Sequence, residues 1–380
     1  MKRLLVVGNG FDLQAGLNTK FSDFFDSEEK PLIEKWLKDS SSVDGGQVSL
    51  LSLILYNTYY RSPFIGFDYK NGVRFQIHFQ SEYQTALGLN KGIVNWMDVE
   101  SFIAQLLKSK GLTRLIECFD SHFKKRSDRL TGICDYDDVP FLMESSLHDK
   151  GYFDITSFYE FFLKEINIFE KRFAYYIRNQ LNSNSDYSNN IGTILSKMIP
   201  HTADSLSIIN FNYTQIDERL IPCCGDIKNI NVHGTINGEP IIGIDANDYE
   251  NQDIMVLTKT FRKLVCKTYT KALDRFDEIL IYGHSLGKQD YSYFQSIFDY
   301  VDLYNGSTKI IFYYSDNYIK SNRGFDLEEL KNIHKTTMAK SVFGLIREYG
   351  KTLNNKDNGK NLIHKLLLEG RLELRIDNFI

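Results

Sequence analysis

Leu4-Leu5-Val6-Val7-Gly8-Asn9-Gly10-Phe11-Asp12 is the stretch that decides the fold. A continuous apolar run closed by a glycine turn reads as a buried parallel strand, because a strand covered on both faces has no need of polar alternation. Phe11–Gly16 then begins a helix. The same texture returns at Asp204–Asn210, Asn229–Val232, Ile241–Ile244, Glu278–Tyr282 and Lys309–Tyr314. Leu273–Phe276, between two of these runs, reads as helical. Strands alternating with helices imply an α/β protein with a Rossmann-like, mostly parallel, doubly wound sheet.

A different pattern separates the first strand from the others. Phe102–Lys108, Thr113–Lys125 and Phe158–Gln180 place apolar residues three and four apart with charges between, as amphipathic helices do. Residues 20–200 therefore read as a large helical insertion into a core made of 1–19 and 201–320. Residues 321–380 are expected as a mixed C-terminal segment packed on that core. It holds a helical run near Asp326–Lys335 and a polar break at Thr352–Asn361.

Composition narrows the function classes. Hydrophobic residues make up 42% and charged residues 25%, ordinary globular usage. A net charge of −4 gives no general attraction to phosphate backbones, so no nucleic-acid partner is expected. The five cysteines form no C-x2-C pair, and their odd number argues against a disulfide framework. Adjacent Cys223 and Cys224 read as packing residues, and no metal is expected. No stretch reaches the roughly 18 apolar residues of a membrane span. The opening apolar run is too short for a signal peptide. The expectation is a soluble, cytoplasmic protein with no membrane partner.

Polar residues gather just after the strand-like runs, where open α/β sheets hold their ligands. Gly8-Asn9-Gly10 is half of a dinucleotide fingerprint, in which glycine lets a phosphate approach backbone N–H groups. Leu13 stands where the third glycine would be, and a plain strand-to-helix turn also needs glycine. Asp12 either caps the following helix or touches a ribose. In Asn210-Phe211-Asn212-Tyr213-Thr214 the two asparagines share one side of an extended backbone. An amide there positions a water or a ribose hydroxyl, or else builds a turn. His233, in Val232-His233-Gly234, is a candidate general base.

Gly283-His284-Ser285-Leu286-Gly287 is a full G-x-S-x-G between a strand and a helix, the setting of a nucleophile elbow. A serine hydrolase built on Ser285 would draw its acid from Asp299, Asp302 or Asp316 and its base from His334 or His364. Lys288, Gln289 and Asp290 are large for the close packing of an elbow helix. The other reading makes Ser285 a ribose- or phosphate-binding hydroxyl, with Asp290 capping or packing nearby. In Asn95-Trp96-Met97-Asp98-Val99-Glu100 the acidic pair fits a helix start, and Trp96 an anchor for the insertion.

Taken in order, Val7–Leu17, Asn95–Glu100, Asn210–Thr214, Val232–Gly234 and Tyr282–Asp290 resemble the AbiH family of bacterial phage-defence (abortive infection) proteins. More distantly the order is similar to sirtuin-like domains, which bind NAD in a Rossmann-type sheet. That resemblance implies a pyrophosphate at Gly8 and Gly10, a nicotinamide ribose flanked by Asn212 and His233, and an adenosine side at Ser285. Thr214 stands where the pattern more often has Asp, and the zinc cysteines of deacetylating sirtuins are missing. Defence proteins with such domains are commonly NAD hydrolases, so the resemblance implies cleavage of NAD at its N-glycosidic bond. Asn212 and His233 would be catalytic. Gly8, Asn9, Gly10, Phe11, Asp12, Asn210, His284, Ser285 and Asp290 would bind the nucleotide. A non-catalytic nucleotide sensor stays open beside both enzyme readings, as do a phage-derived trigger and a homo-oligomer.

Overall fold

The computed structural model describes residues 1–38, 47–60, 64–68, 73–77, 99–108, 112–113, 116, 119, 157–199, 204–222, 225–266, 271–315, 327–354 and 359–376. Its elements begin with β1 (Lys2–Val7), α1 (Asn9–Gln14), α2 (Phe21–Phe24), a π-helical turn (Phe25–Glu29), α3 (Lys30–Lys38) and α4 (Leu50–Tyr60). Next come β2 (Phe64–Asp68), β3 (Val73–Ile77), α5 (Val99–Leu107), α6 (Phe158–Ser183), α7 (Tyr187–Met198), β4 (Ser205–Asn210) and β5 (Asp226–Asn231). The chain continues through α8 (Lys259–Cys266), β6 (Glu278–Tyr282), α9 (Tyr291–Tyr300), β7 (Lys309–Tyr314), α10 (Leu327–Gly350), α11 (Leu362–Leu368) and β8 (Leu372–Ile376).

The chain divides into two compact units, one of Met1–Thr19, Ile177–Pro240 and Cys266–Ile380, the other of Lys20–Tyr176 and Ile241–Val265. The first unit contains a six-stranded sheet in the order β5-β4-β1-β6-β7-β8, parallel throughout. Counting only these strands in chain order gives 3-2-1-4-5-6, the Rossmann-like, doubly wound arrangement. Alternation along β1 explains the apolar run. Leu4 and Val6 enter one core with Phe294, Ile297 and Ile346, while Leu5 and Val7 enter the other with Phe11, Ile191 and Leu195. Helices α9, α10 and α11 cover the first face, and α1 and α7 the second.

Three expectations need correcting. Ile241–Ile244 is not a strand; only Ile244 bridges Thr258. Its backbone donors turn to carboxylates instead, Ile242 N–H to Glu170 and Gly243 N–H to Glu100. A short buried apolar run looks the same in sequence whether or not it joins a ladder. Leu273–Phe276 is not helical and has no regular secondary structure, with the Phe276 carbonyl accepting from Thr308 Oγ1 at 2.7 Å. The helical insertion was expected to run to residue 200, yet α7 packs on the sheet and belongs to the first unit. The C-terminal segment also contributes a sheet strand, β8, which pairs with β7.

The second unit holds most of the described aromatic packing. Phe21 and Phe24 meet Phe169 and Phe173 of α6 at centroid distances of 4.5–6.2 Å. An antiparallel pair, β2 with β3, also lies here. Buried Glu29 accepts from Ser52 Oγ and Arg172 Nε, and buried Glu170 from both terminal nitrogens of Arg262. Trp96, Asp98, Cys223, Cys224, Asp316 and most of Thr113–Lys125 lie outside the described residues. Among the described residues, no helix is long and apolar enough to cross a membrane.

Candidate functional site

Parallel strands bring their C-terminal ends to one edge of the sheet. The turns after β1, β4, β5 and β6 therefore place Gly8–Asp12, Asn210–Thr214, His233 and Gly283–Asp290 side by side. β1 and β6 are the neighbours between which the strand order reverses, the usual ligand crevice of such sheets.

At that point the turns pack directly on each other. Gly8 N–H donates to Tyr282 O at 3.0 Å, Gly10 N–H to Gly283 O at 2.7 Å, and Phe11 N–H to Gly8 O at 2.9 Å. A Cβ on Gly8 would lie 2.6 Å from His284 Cα. These glycines are thus explained by the approach of two backbones, and three of the donors expected to face a phosphate are engaged within the protein. Asn9 is exposed, its Oδ1 accepting from Thr19 Oγ1 at 2.5 Å.

The asparagine loop is built by its own side chains. Asn210, fully buried, donates from Nδ2 to Thr214 O at 2.8 Å and accepts the Asn212 N–H on Oδ1 at 2.9 Å. Both ends of its amide are occupied, so Asn210 shapes the loop. Asn231 at the end of β5 adds bonds to Asn212 O and Thr214 O. Asn212 donates from Nδ2 to Gly8 O at 3.0 Å. A carbonyl only accepts, so this contact fixes the amide orientation and leaves Oδ1 to accept from another donor.

Asp12 neither caps α1 nor lies at the surface. Its carboxylate accepts from Thr214 Oγ1 at 2.8 Å and Tyr187 Oη at 2.8 Å. Burial pushes its pKa up to about 6 against the opposing pull of these two donors. The Tyr187 hydroxyl is raised as well, by burial and then by the Asp12 charge. Tyr187 had no signal in the sequence, since α7 looked like part of the insertion.

A third cluster joins His233, His284 and Asp290. Asp290 Oδ1 lies 3.3 Å from His233 Nε2, and its Oδ2 3.3 Å from His284 Nε2. Both imidazoles are buried. Phe211 sets its ring edge-on to each, at 5.3 Å from His233 and 4.4 Å from His284. His284 Nδ1 accepts the Leu286 N–H at 2.9 Å. At His233 the ring nitrogen misses strict hydrogen-bond geometry, so the 3.3 Å contact with Asp290 is electrostatic rather than an aligned bond. Asp290 occupies the N-cap position of α9, yet its side chain makes no capping bond.

The model of the family described as "Bacteriophage abortive infection AbiH" matches residues 4–314. The chain belongs to the AbiH family. That membership assigns this AbiH protein to phage defence by abortive infection. No curated protein and no solved structure matches it.

In this AbiH protein the G-x-S-x-G does not take the shape of a nucleophile elbow. Positive φ falls on Gly283 (+68°) and Leu286 (+57°), and Ser285 is not among the positive-φ residues. Ser285 is exposed, and its hydroxyl has no hydrogen bond among the described residues. His364 is exposed and His334 half-buried, neither bonded to that serine.

Proposed function

We propose that this AbiH protein hydrolyses NAD or a related nucleotide at its N-glycosidic bond. The observation that carries this reading is the side-by-side placement of Asn212 and His233 at neighbouring strand ends, next to the turn after β1. The family supports a defensive setting, and the sirtuin-like order of the motifs favours NAD among nucleotides.

In NAD the C1′–N bond breaks with its electron pair going to the ring nitrogen, so nicotinamide leaves as a neutral molecule. Water then adds to an oxocarbenium-like C1′ and gives up a proton. Asn212 Oδ1 would accept from that water or from a ribose hydroxyl, and His233 would take the proton. With the N–H groups of Gly8, Gly10 and Phe11 engaged inside the protein, exposed Asn9 is the group of this turn that would meet a phosphate. Ser285 would meet the adenosine side.

Purified protein incubated with NAD and with esters, followed by mass spectrometry, tests the reading. Nicotinamide and ADP-ribose should appear in equal amounts, and His233→Ala should abolish both while its circular dichroism stays native. NAD left intact after long incubation, or turnover surviving in His233→Ala, would remove the proposal.

A further inference from the structure

An aspartate at an N-cap position ordinarily accepts a helix N–H, a bond worth about 0.5–2 kcal/mol. Asp290 makes no such bond, and its two oxygens instead face two buried imidazoles. A local preference set aside in this way marks a position held for something other than stability.

The two rings are held differently. His284 accepts the Leu286 N–H on Nδ1, which occupies that lone pair and leaves the ring proton on Nε2, facing Asp290 Oδ2. Phe211 and Phe294 pack edge-on against the ring at 4.4 and 5.0 Å, so it has little room to turn. Asp290 is therefore braced on one side by a histidine of fixed tautomer. On its other side Oδ1 faces His233 Nε2 at 3.3 Å. A proton on Nε2 is attracted by the carboxylate charge 3.3 Å away, whereas a bare Nε2 lone pair at that distance is repelled by it. The proton of neutral His233 therefore sits on Nε2, and Nδ1 becomes its basic nitrogen.

We propose that Asp290, braced by His284, is the positioning residue that fixes the tautomer of His233 and stabilises its imidazolium once a proton has been taken. This role rests on His233 as the proton acceptor in nucleotide hydrolysis. Nothing is oxidised or reduced. A proton moves from the attacking water to His233 Nδ1, and Asp290 keeps its charge throughout.

Asp290→Asn tests this with a specific expectation. An amide has one acceptor and one donor end. His284 cannot change tautomer without losing its bond to Leu286, so it should take the acceptor end. The NH2 end then faces His233 and drives its proton from Nε2 to Nδ1. Long-range 15N–1H spectra of the histidine rings should show Nε2–H on both residues in the wild type. In Asp290→Asn, His233 alone should switch. Activity should fall through kcat by about 10²- to 10⁴-fold, with KM nearly unchanged.

The spectra need no substrate. A wild-type protein with these tautomers but no turnover defeats the hydrolase reading, and with it the imidazolium-stabilising half of this role, while the assignment of the His233 tautomer to Asp290 stands. A wild-type His233 protonated on Nδ1, or an Asp290→Asn variant with undiminished kcat, overturns the positioning role itself. Should the variant fail to fold, the wild-type spectrum alone decides.

Discussion

Gly10 donates its backbone N–H to the carbonyl of Gly283 over 2.7 Å, fastening the turn after β1 to the turn after β6 where the strand order of the sheet reverses. In many sheets of this order a ligand occupies that crevice. Here two backbones fill its base, and the side chains offered to a ligand come from the flanking turns.

This contact makes Gly283 sensitive to any side chain. Its φ is +68°, and a Cβ would stand 2.4 Å from Phe11 N. Gly283→Ala should lose more than about 2 kcal/mol, since left-handed backbone and a steric overlap add. Gly287→Ala is the matched control. There φ is −69° and the nearest atom to a Cβ is Ser285 Oγ at 3.5 Å, so the change should stay within about 0.5 kcal/mol. Urea unfolding of both variants reads the difference, and equal midpoints would refute the contact.

Asp12 should make stability depend on pH. Burial raises its pKa from 3.8 to about 6 in the folded protein. Between those values the native state binds more protons than the unfolded chain, so stability falls as pH rises through the window from about 4 to about 6. A rise of that size corresponds to about 3 kcal/mol. Asp12→Asn keeps the shape without the charge and should flatten this slope. Denaturant midpoints at pH 5 and pH 8 provide the check; parallel slopes in the two proteins would exclude Asp12 as their source.

Ser285 should ignore a fluorophosphonate probe. An activated serine needs a base on its hydroxyl, and the preceding residue, His284, has Nδ1 on Leu286 and Nε2 facing Asp290. Intact-mass spectrometry after incubation should show no adduct. An adduct that vanishes in Ser285→Ala would restore the serine as a nucleophile.

What the sequence revealed follows from where each signal is stored. β1 was legible because Leu4–Val7 are buried on both faces, which writes the burial into consecutive residues. β8 was not, because Leu372-Glu373-Leu374-Arg375-Ile376 is an edge strand that is half-exposed and charged, as edges tend to be. His233 and His284 stood out at strand ends. The bridging role of Asp290 did not, since it depends on the 3-10 turn Lys288–Asp290 carrying the carboxylate back toward both rings. Asn210 and Asn212 looked equivalent two residues apart. Only coordinates separate an amide occupied at both ends from one with its oxygen left to accept.

The second unit offers a test independent of the site. Glu29 is fully buried between Ser52 and Arg172, and burial raises its pKa ahead of the lowering attraction of Arg172. Removing the arginine alone strands a carboxylate in an apolar interior. Arg172→Met should therefore lose about 3–5 kcal/mol near neutral pH. The loss should shrink in acid, where the carboxyl takes up a proton and no longer carries a buried charge. The double variant Glu29→Gln/Arg172→Met removes both charges and should recover much of that loss, giving a coupling of more than about 1 kcal/mol in a double-mutant cycle. Additive single effects would mean that the pair contributes through packing of the arginine stem and not through its charge.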